Sequence, residues 1–259
     1  MNRRQFVNGV MGVGVTMGFP LGRVRRLVAS QVPSEIVDFT ASQLSTAIRV
    51  RQVSCAEVMQ AYLDHIHRYN PVYNALVNLA DDDVLLSQAD RADEALAEGQ
   101  YWGWMHGMPH AVKDLSHARG FPTSFGSAIY AGSVAEEDSF MIGRIRAQGA
   151  IFIGKTNAPE FGMGSQTYNS VFGATGSACD PTLTAGGSSG GAASGLGTHM
   201  LPVADGSDLM GSLRNPGAFN NVIGFRPSQG RVPGGGSGEL FYQQMATGGP
   251  MGRNTEDTI

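Results

Sequence analysis

Apolar residues first recur at helical spacing after Ser54-Cys55-Ala56-Glu57, where Val58, Tyr62, Ile66 and Tyr69 follow. The serine and the glutamate three residues later form a capping box, and Asn70-Pro71 reads as the stop of that helix. An earlier helix is capped by Thr40 and runs to about Arg51. Asp81-Asp82-Asp83 places negative charge at the start of a third helix, which ends at Gly99. Residues 75–79 read as a short strand between these helices, and residues 109–115 as a strand running into a loop. The spacing predicts a helix over 138–148 closed by Gly149, followed by the buried strand Ile151-Phe152-Ile153. A long polar, glycine-rich stretch then reaches Gly191, and a small-residue helix starts near Ala192. Residues 201–204 and 222–225 are further strand candidates, and Asn254-Thr255-Glu256-Asp257 is a helix start. The alternation predicts an α/β fold, a mixed β-sheet core covered by α-helices.

Composition alters this picture at two places. The chain has 36 glycines in 259 residues, about twice an average share, clustered between Gly149 and Gly252 without a collagen-like period. Such clustering marks tight turns and close backbone approach, where active-site loops are built. The net charge of −4 conceals an asymmetry, since residues 1–30 hold five arginines and no acid. Setting those five aside leaves 13 basic against 22 acidic residues, or −9, which argues against a nucleic-acid surface. Two cysteines, Cys55 in a helix and Cys179 in a loop, are too few for a disulfide framework.

The amino terminus has the layout of an export signal: Asn2-Arg3-Arg4-Gln5-Phe6-Val7, an apolar run from Val10 to Leu21, then Val28-Ala29-Ser30. Its paired arginines resemble a twin-arginine leader, which exports folded proteins. Residues 1–30 are therefore set apart from the fold of residues 31–259, and a periplasmic or otherwise exported location is expected. A chance Arg-Arg pair would instead leave the protein cytoplasmic. The apolar run is short and glycine-rich for a spanning helix, which favours a cleaved leader and no stable membrane insertion after export.

Three segments offer chemistry. Gly107-Met108-Pro109-His110-Ala111-Val112-Lys113-Asp114 puts a lysine at the end of an apolar strand. Gly186-Gly187-Ser188-Ser189-Gly190-Gly191 is a serine loop, and Asp208-Leu209-Met210-Gly211-Ser212-Leu213-Arg214-Asn215-Pro216 holds a second glycine-flanked serine. A serine hydroxyl needs a base before it attacks, and a buried lysine qualifies because apolar surroundings disfavour the ammonium form. Taken singly, each segment has a plain reading: a lysine snorkelling from a strand end, or a flexible loop.

Together, in this order and spacing, the segments resemble the amidase signature family, as does the linking stretch Gly154-Lys155-Thr156-Asn157-Ala158-Pro159-Glu160-Phe161. The resemblance runs from about Glu35 to Ile259. It implies an amidase signature fold, with residues 31–259 as its N-terminal portion and the C-terminal part missing. It also implies hydrolysis of small-molecule carboxylic amides without a cofactor or metal, through an acyl-serine intermediate. Lys113 would be the base, Ser212 the nucleophile and Ser188 the relay hydroxyl between them, with Ser189 the weaker choice and a cis peptide at Gly187–Ser188. The N–H groups of Leu209, Met210 and Gly211 would form an oxyanion hole, worth about 2.7–4 kcal/mol per donor. Gly187, Ser207, Asp208 and Arg214 would be supporting groups, the last two as an ion pair. The chain departs from the family's usual Thr-Asp-Thr-Gly-Gly-Ser at Ser207, Leu209 and Met210.

Two other readings compete. Gly149-Ala150-Ile151-Phe152-Ile153-Gly154-Lys155-Thr156 fits a phosphate-binding loop pattern letter for letter. Its middle residues suit a buried strand, and Asn157-Ala158-Pro159 breaks any following helix, so nucleotide binding is rejected. The second is a truncated, catalytically inactive amidase fragment: the helix begun at Asn254 is too short to hold itself together, and an absent carboxyl half would supply strands to the sheet and walls to the pocket. No histidine or cysteine spacing supports a metal site. The sequence does not fix the oligomeric state.

Overall fold

The structure is a computed structural model that describes residues 35–234 and 245–259. The leader assigned to residues 1–30 lies outside the described residues. Helix α1 (Ala41–Arg49) opens with a capping box between Thr40 and Gln43, and α2 (Cys55–Tyr73) with the expected one between Ser54 and Glu57. Val58, Met59, Tyr62, Leu63 and Ile66 of α2 are buried, the four aliphatic and thioether side chains each worth about 1.5–3 kcal/mol relative to exposure. The helix does not stop at Asn70. It carries Pro71 in its last turn and ends at Asn74, which adopts the left-handed conformation. The Asn70 side chain accounts for this, accepting from the N–H groups of Ala75 and Leu76 and donating to the Leu76 carbonyl. Those bonds fix the turn that a proline alone would have left loose.

Strand β1 (Leu76–Val77) and helix α3 (Asp82–Ala97), capped by Asp81, follow. Strand β2 (Pro109–Lys113), helix α4 (Phe140–Ala147) and strand β3 (Ile151–Thr156) come next. β3 pairs in parallel with β2 and antiparallel with β1, so the sheet is mixed. Every residue of β2 and β3 is buried. The strand assignment of 151–156 removes the loop that phosphate binding would need. A small hairpin, β4 (Tyr168–Asn169) with β5 (Gly173–Ala174), leads to α5 (Gly190–Gly197).

The small residues of α5 let its backbone lie against the end of β3. A Cβ on Gly191 would collide with the backbone nitrogen of Asn157, and the Gly191 N–H donates to the Asn157 carbonyl at 3.1 Å. A second sheet combines β6 (Ala204–Asp208), β8 (Thr247–Gly252) and β7 (Ile223–Gly224), all antiparallel, with α6 (Arg214–Phe219) between β6 and β7. Helix α7 (Thr255–Thr258) starts at Asn254, whose side chain accepts from the Asp257 N–H. One strand is displaced from its expected place: β6 begins at Ala204, where the strand over 201–204 was to end. Its polar residues face a buried polar cluster, so the apolar run before it misdirected the prediction.

Candidate active site

β2 delivers Lys113 at its final position, Ser188 and Ser189 precede α5, and β6 passes alongside with Ser207. Lys113 Nζ lies 2.8 Å from Ser188 Oγ, 2.7 Å from Ser189 Oγ, 3.0 Å from Ser207 Oγ and 3.4 Å from the Ser207 carbonyl. Its side chain is fully buried. Burial pushes the amine down to about 7, while the nearby carboxylates of Asp205 and Asp208 pull the other way. The amine thus sits near neutrality among hydroxyl groups.

The peptide between Gly187 and Ser188 is cis. The two serines differ in their remaining contacts. Ser189 Oγ also accepts from the Ser207 N–H and donates to the Ser207 carbonyl, both at 3.3 Å. Ser188 Oγ hydrogen-bonds only Lys113 among the described residues. Gly162 passes over it, since a Cβ there would lie 3.7 Å from Ser188 Oγ. The adjacent Phe161 belongs to an aromatic row with Tyr130 and Phe125, ring centroids 6.2 and 5.6 Å apart.

Ser212 is half-buried, just before α6 and at the end of the Asp208 turn. Its carbonyl accepts from the Ser189 N–H at 3.2 Å, which ties it to the serine pair. Its hydroxyl makes no hydrogen bond to another described residue. Asp208 organises the preceding turn. It is fully buried and accepts from Gly211 N–H (2.7 Å), Leu213 N–H (3.2 Å), Arg214 Nε and Nη2 (3.0 and 3.1 Å) and Arg226 Nη1 (2.9 Å). Burial would raise its carboxyl. The Arg214 bonds and the two amides outweigh this and hold it well below the ordinary carboxylate range.

The expected oxyanion donors separate here. The Gly211 N–H donates to Asp208, whereas Leu209 and Met210 offer N–H groups with no acceptor among the described residues. Met210 does not take a positive φ and is 82% exposed, so a side chain fits where glycine is usual. The structure brings Lys113, Ser188 and Ser207 together, with Ser212 beside them through Ser189, and pairs Asp208 with Arg214. Sequence reasoning missed Arg226 as a second cation on Asp208, and it missed His110 and Asp205, a buried pair at 3.1 Å next to Lys113. Ionisable residues inside apolar strand segments were the available signal. Among the described residues no three His, Cys, Asp or Glu side chains are arranged to hold a metal ion.

Comparison with known proteins agrees with this architecture. The sequence model of the Amidase family matches residues 57–259. The glutamyl-tRNA(Gln) amidotransferase A-subunit of Acidothermus cellulolyticus is 38% identical over 224 residues, covering 86% of this chain and 44% of that one. A second form of the same A-subunit, from Clostridium acetobutylicum, is 37% identical over 223 residues, 86% of this chain and 46% of its own. Among solved structures, a bacterial aryl acylamidase of the amidase signature family superposes with a TM-score of 0.80 at 31% identity, over 85% of this chain and 46% of the other. The peptide amidase from Stenotrophomonas maltophilia gives 0.77 at 29% identity, over 85% and 46%. The chain belongs to the amidase signature family, as its motifs implied, and has that family's fold. It spans about half the length of the curated relatives it matches.

Proposed function

We propose that this chain is a hydrolase of carboxylic amides that works through an acyl-serine intermediate, with Ser212 as nucleophile, Ser188 as relay and Lys113 as base. The observation that carries the reading is the 2.8 Å contact between a fully buried lysine amine, brought down to about 7, and the Ser188 hydroxyl. A neutral amine has two N–H donors and one lone pair. Ser189 and Ser207 accept the two donors, which leaves the lone pair for the Ser188 O–H. Ser188, with no other bond, is the hydroxyl free to take a proton in turn. That favours Ser188 over Ser189 as the relay.

The steps then balance. Ser212 Oγ attacks the amide carbonyl carbon while its proton passes to Ser188 Oγ, and the Ser188 proton passes to Lys113 Nζ. The carbonyl oxygen becomes an oxyanion, which the N–H groups of Leu209 and Met210 can receive. On collapse the C–N bond breaks, and the proton returns from Lys113 through Ser188 to the leaving nitrogen. Water then adds to the acyl ester by the same route and releases the carboxylate. Asp208, Arg214 and Gly211 hold the turn that presents Ser212.

A second reading is a component of an amide-transferring assembly, favoured by the names of the relatives that are 37–38% identical. The export signal read in residues 1–30 favours a small amide met outside the cytoplasm. Release of ammonia or amine from a panel of amides tests both readings. Ser212→Ala should abolish release, and an unchanged rate would remove Ser212 from the mechanism. Turnover confined to glutamine would favour the second reading.

A further inference from the structure

His110 and Asp205 are buried ionisable residues that the proton relay does not use. His110 lies on β2, three residues before Lys113, and Asp205 on β6, in the other sheet. The Asp205 carboxylate accepts from His110 Nε2 at 3.1 Å and from the backbone N–H of Lys113 at 3.3 and 3.4 Å. One carboxylate therefore spans the seam between the two sheets, and one of its donors is the peptide of the lysine itself. Nε2 is assigned the ring proton because a carboxylate only accepts. The other ring nitrogen, Nδ1, is buried and has no partner among the described residues, so the contacts fit a single ring proton.

We infer that Asp205, aimed by His110, is a positioning residue for Lys113, fixing the main chain from which the amine projects and supplying the anionic field around it. The inference rests on the reading of Lys113 as the base. Two carboxylates oppose burial at that amine, Asp205 first and Asp208 second. Asp208 is already matched by Arg214 and Arg226. Among the described residues Asp205 also acts on Lys155 of β3, where Asp114 is the stronger anionic influence. The remaining groups around the amine, Ser188, Ser189 and Ser207, are uncharged hydroxyls. Asp205 is the anion left to offset desolvation, keeping the amine from falling far below the working pH.

The test uses an unusual feature of the sequence, which contains two lysines in all, Lys113 and Lys155. The 259-residue chain labelled with ¹³C,¹⁵N-lysine gives two side-chain signals to follow against pH, and Lys155→Arg assigns them. Asp205→Asn should lower the Lys113 midpoint by about one pH unit and carry the acid limb of amide turnover with it. His110→Leu should move the midpoint in the same direction, whereas His110→Gln, which keeps an N–H donor, should restore it. A folded Asp205→Asn protein with an unmoved Lys113 midpoint overturns the inference. If that variant does not fold, an unmoved midpoint in His110→Leu does the same. The signal is independent of turnover: a moved midpoint with Ser212→Ala still active would sink the hydrolytic reading and leave the coupling standing. An unmoved midpoint with Ser212→Ala inactive would do the reverse.

Discussion

Burying an amine that must be neutral to work makes the stability of this protein depend on pH in an uncommon direction. An unfolded chain binds a proton at Lys113 up to about 10.5, whereas the folded one releases it at about 7. Between those values the unfolded state holds the extra proton, so stability rises with pH by about 1.4 kcal/mol per unit from this residue. The penalty is fully present below the folded value. Across 10.5 − 7 = 3.5 units its relief amounts to about 5 kcal/mol. Lys155, brought down to about 8 by its own burial, adds a second slope of the same sign. Cys55 opposes both above its ordinary 9.0, because burial pushes its thiol up. The cleanest window is therefore from about pH 7 to about pH 8.5.

Lys113→Met removes one slope and keeps a straight side chain in the cavity. The variant's absolute stability mixes several effects, including hydroxyls that lose a partner, but those are constant with pH. Urea unfolding of both proteins across the window isolates the lysine. The parent should gain about 2 kcal/mol more than Lys113→Met over those 1.5 or so units. Parallel pH dependences in the two proteins would refute the claim that folding deprotonates Lys113.

Other expectations follow from particular contacts. Asp208→Ala should cost about 3–5 kcal/mol in urea unfolding, since it strands two amides and the Arg226 guanidinium. Arg214→Gln should cost far less, because Arg214 is more exposed and Arg226 remains. Gly206→Ala would put a Cβ 2.6 Å from Leu213 Cδ2 and 2.8 Å from Ser189 Oγ. It should lose about 1–3 kcal/mol of stability and lower amide turnover by shifting a hydroxyl off Lys113. Iodoacetamide should label the exposed Cys179 and spare the buried Cys55 in the native protein, and mass spectrometry of the digest reads the difference.

The parts of the site that could be read from the sequence are those whose chemistry is local. The Ser54 and Asn254 caps, the buried strand at Ile151 and the two serine loops each declare themselves within a few residues. What escaped depends on partners far along the chain. Asp205 meets His110 across 95 positions, and Arg226 reaches Asp208 from 18 away, so no short-range pattern marks either contact. The Ser189 and Ser207 hydroxyls looked secondary because their shared partner, the Lys113 amine, is placed by three separate elements. The displaced start of β6 has the same origin: a strand containing Ser207 and Asp208 looks like a loop until its buried surroundings are known. Pro71 misled in the opposite way, because the general rule for proline was stronger than the local hydrogen bonds of Asn70 that defeat it.

With both lysines of these 259 residues enclosed in the interior, this stretch of chain presents only arginines as strongly basic side chains to solvent. Amine-directed reagents, whether for coupling to a resin, cross-linking to a neighbour or attaching a dye, find no side-chain foothold on it. Surface acetylation or isopeptide tagging of lysine is likewise closed to the native state and becomes open only on unfolding.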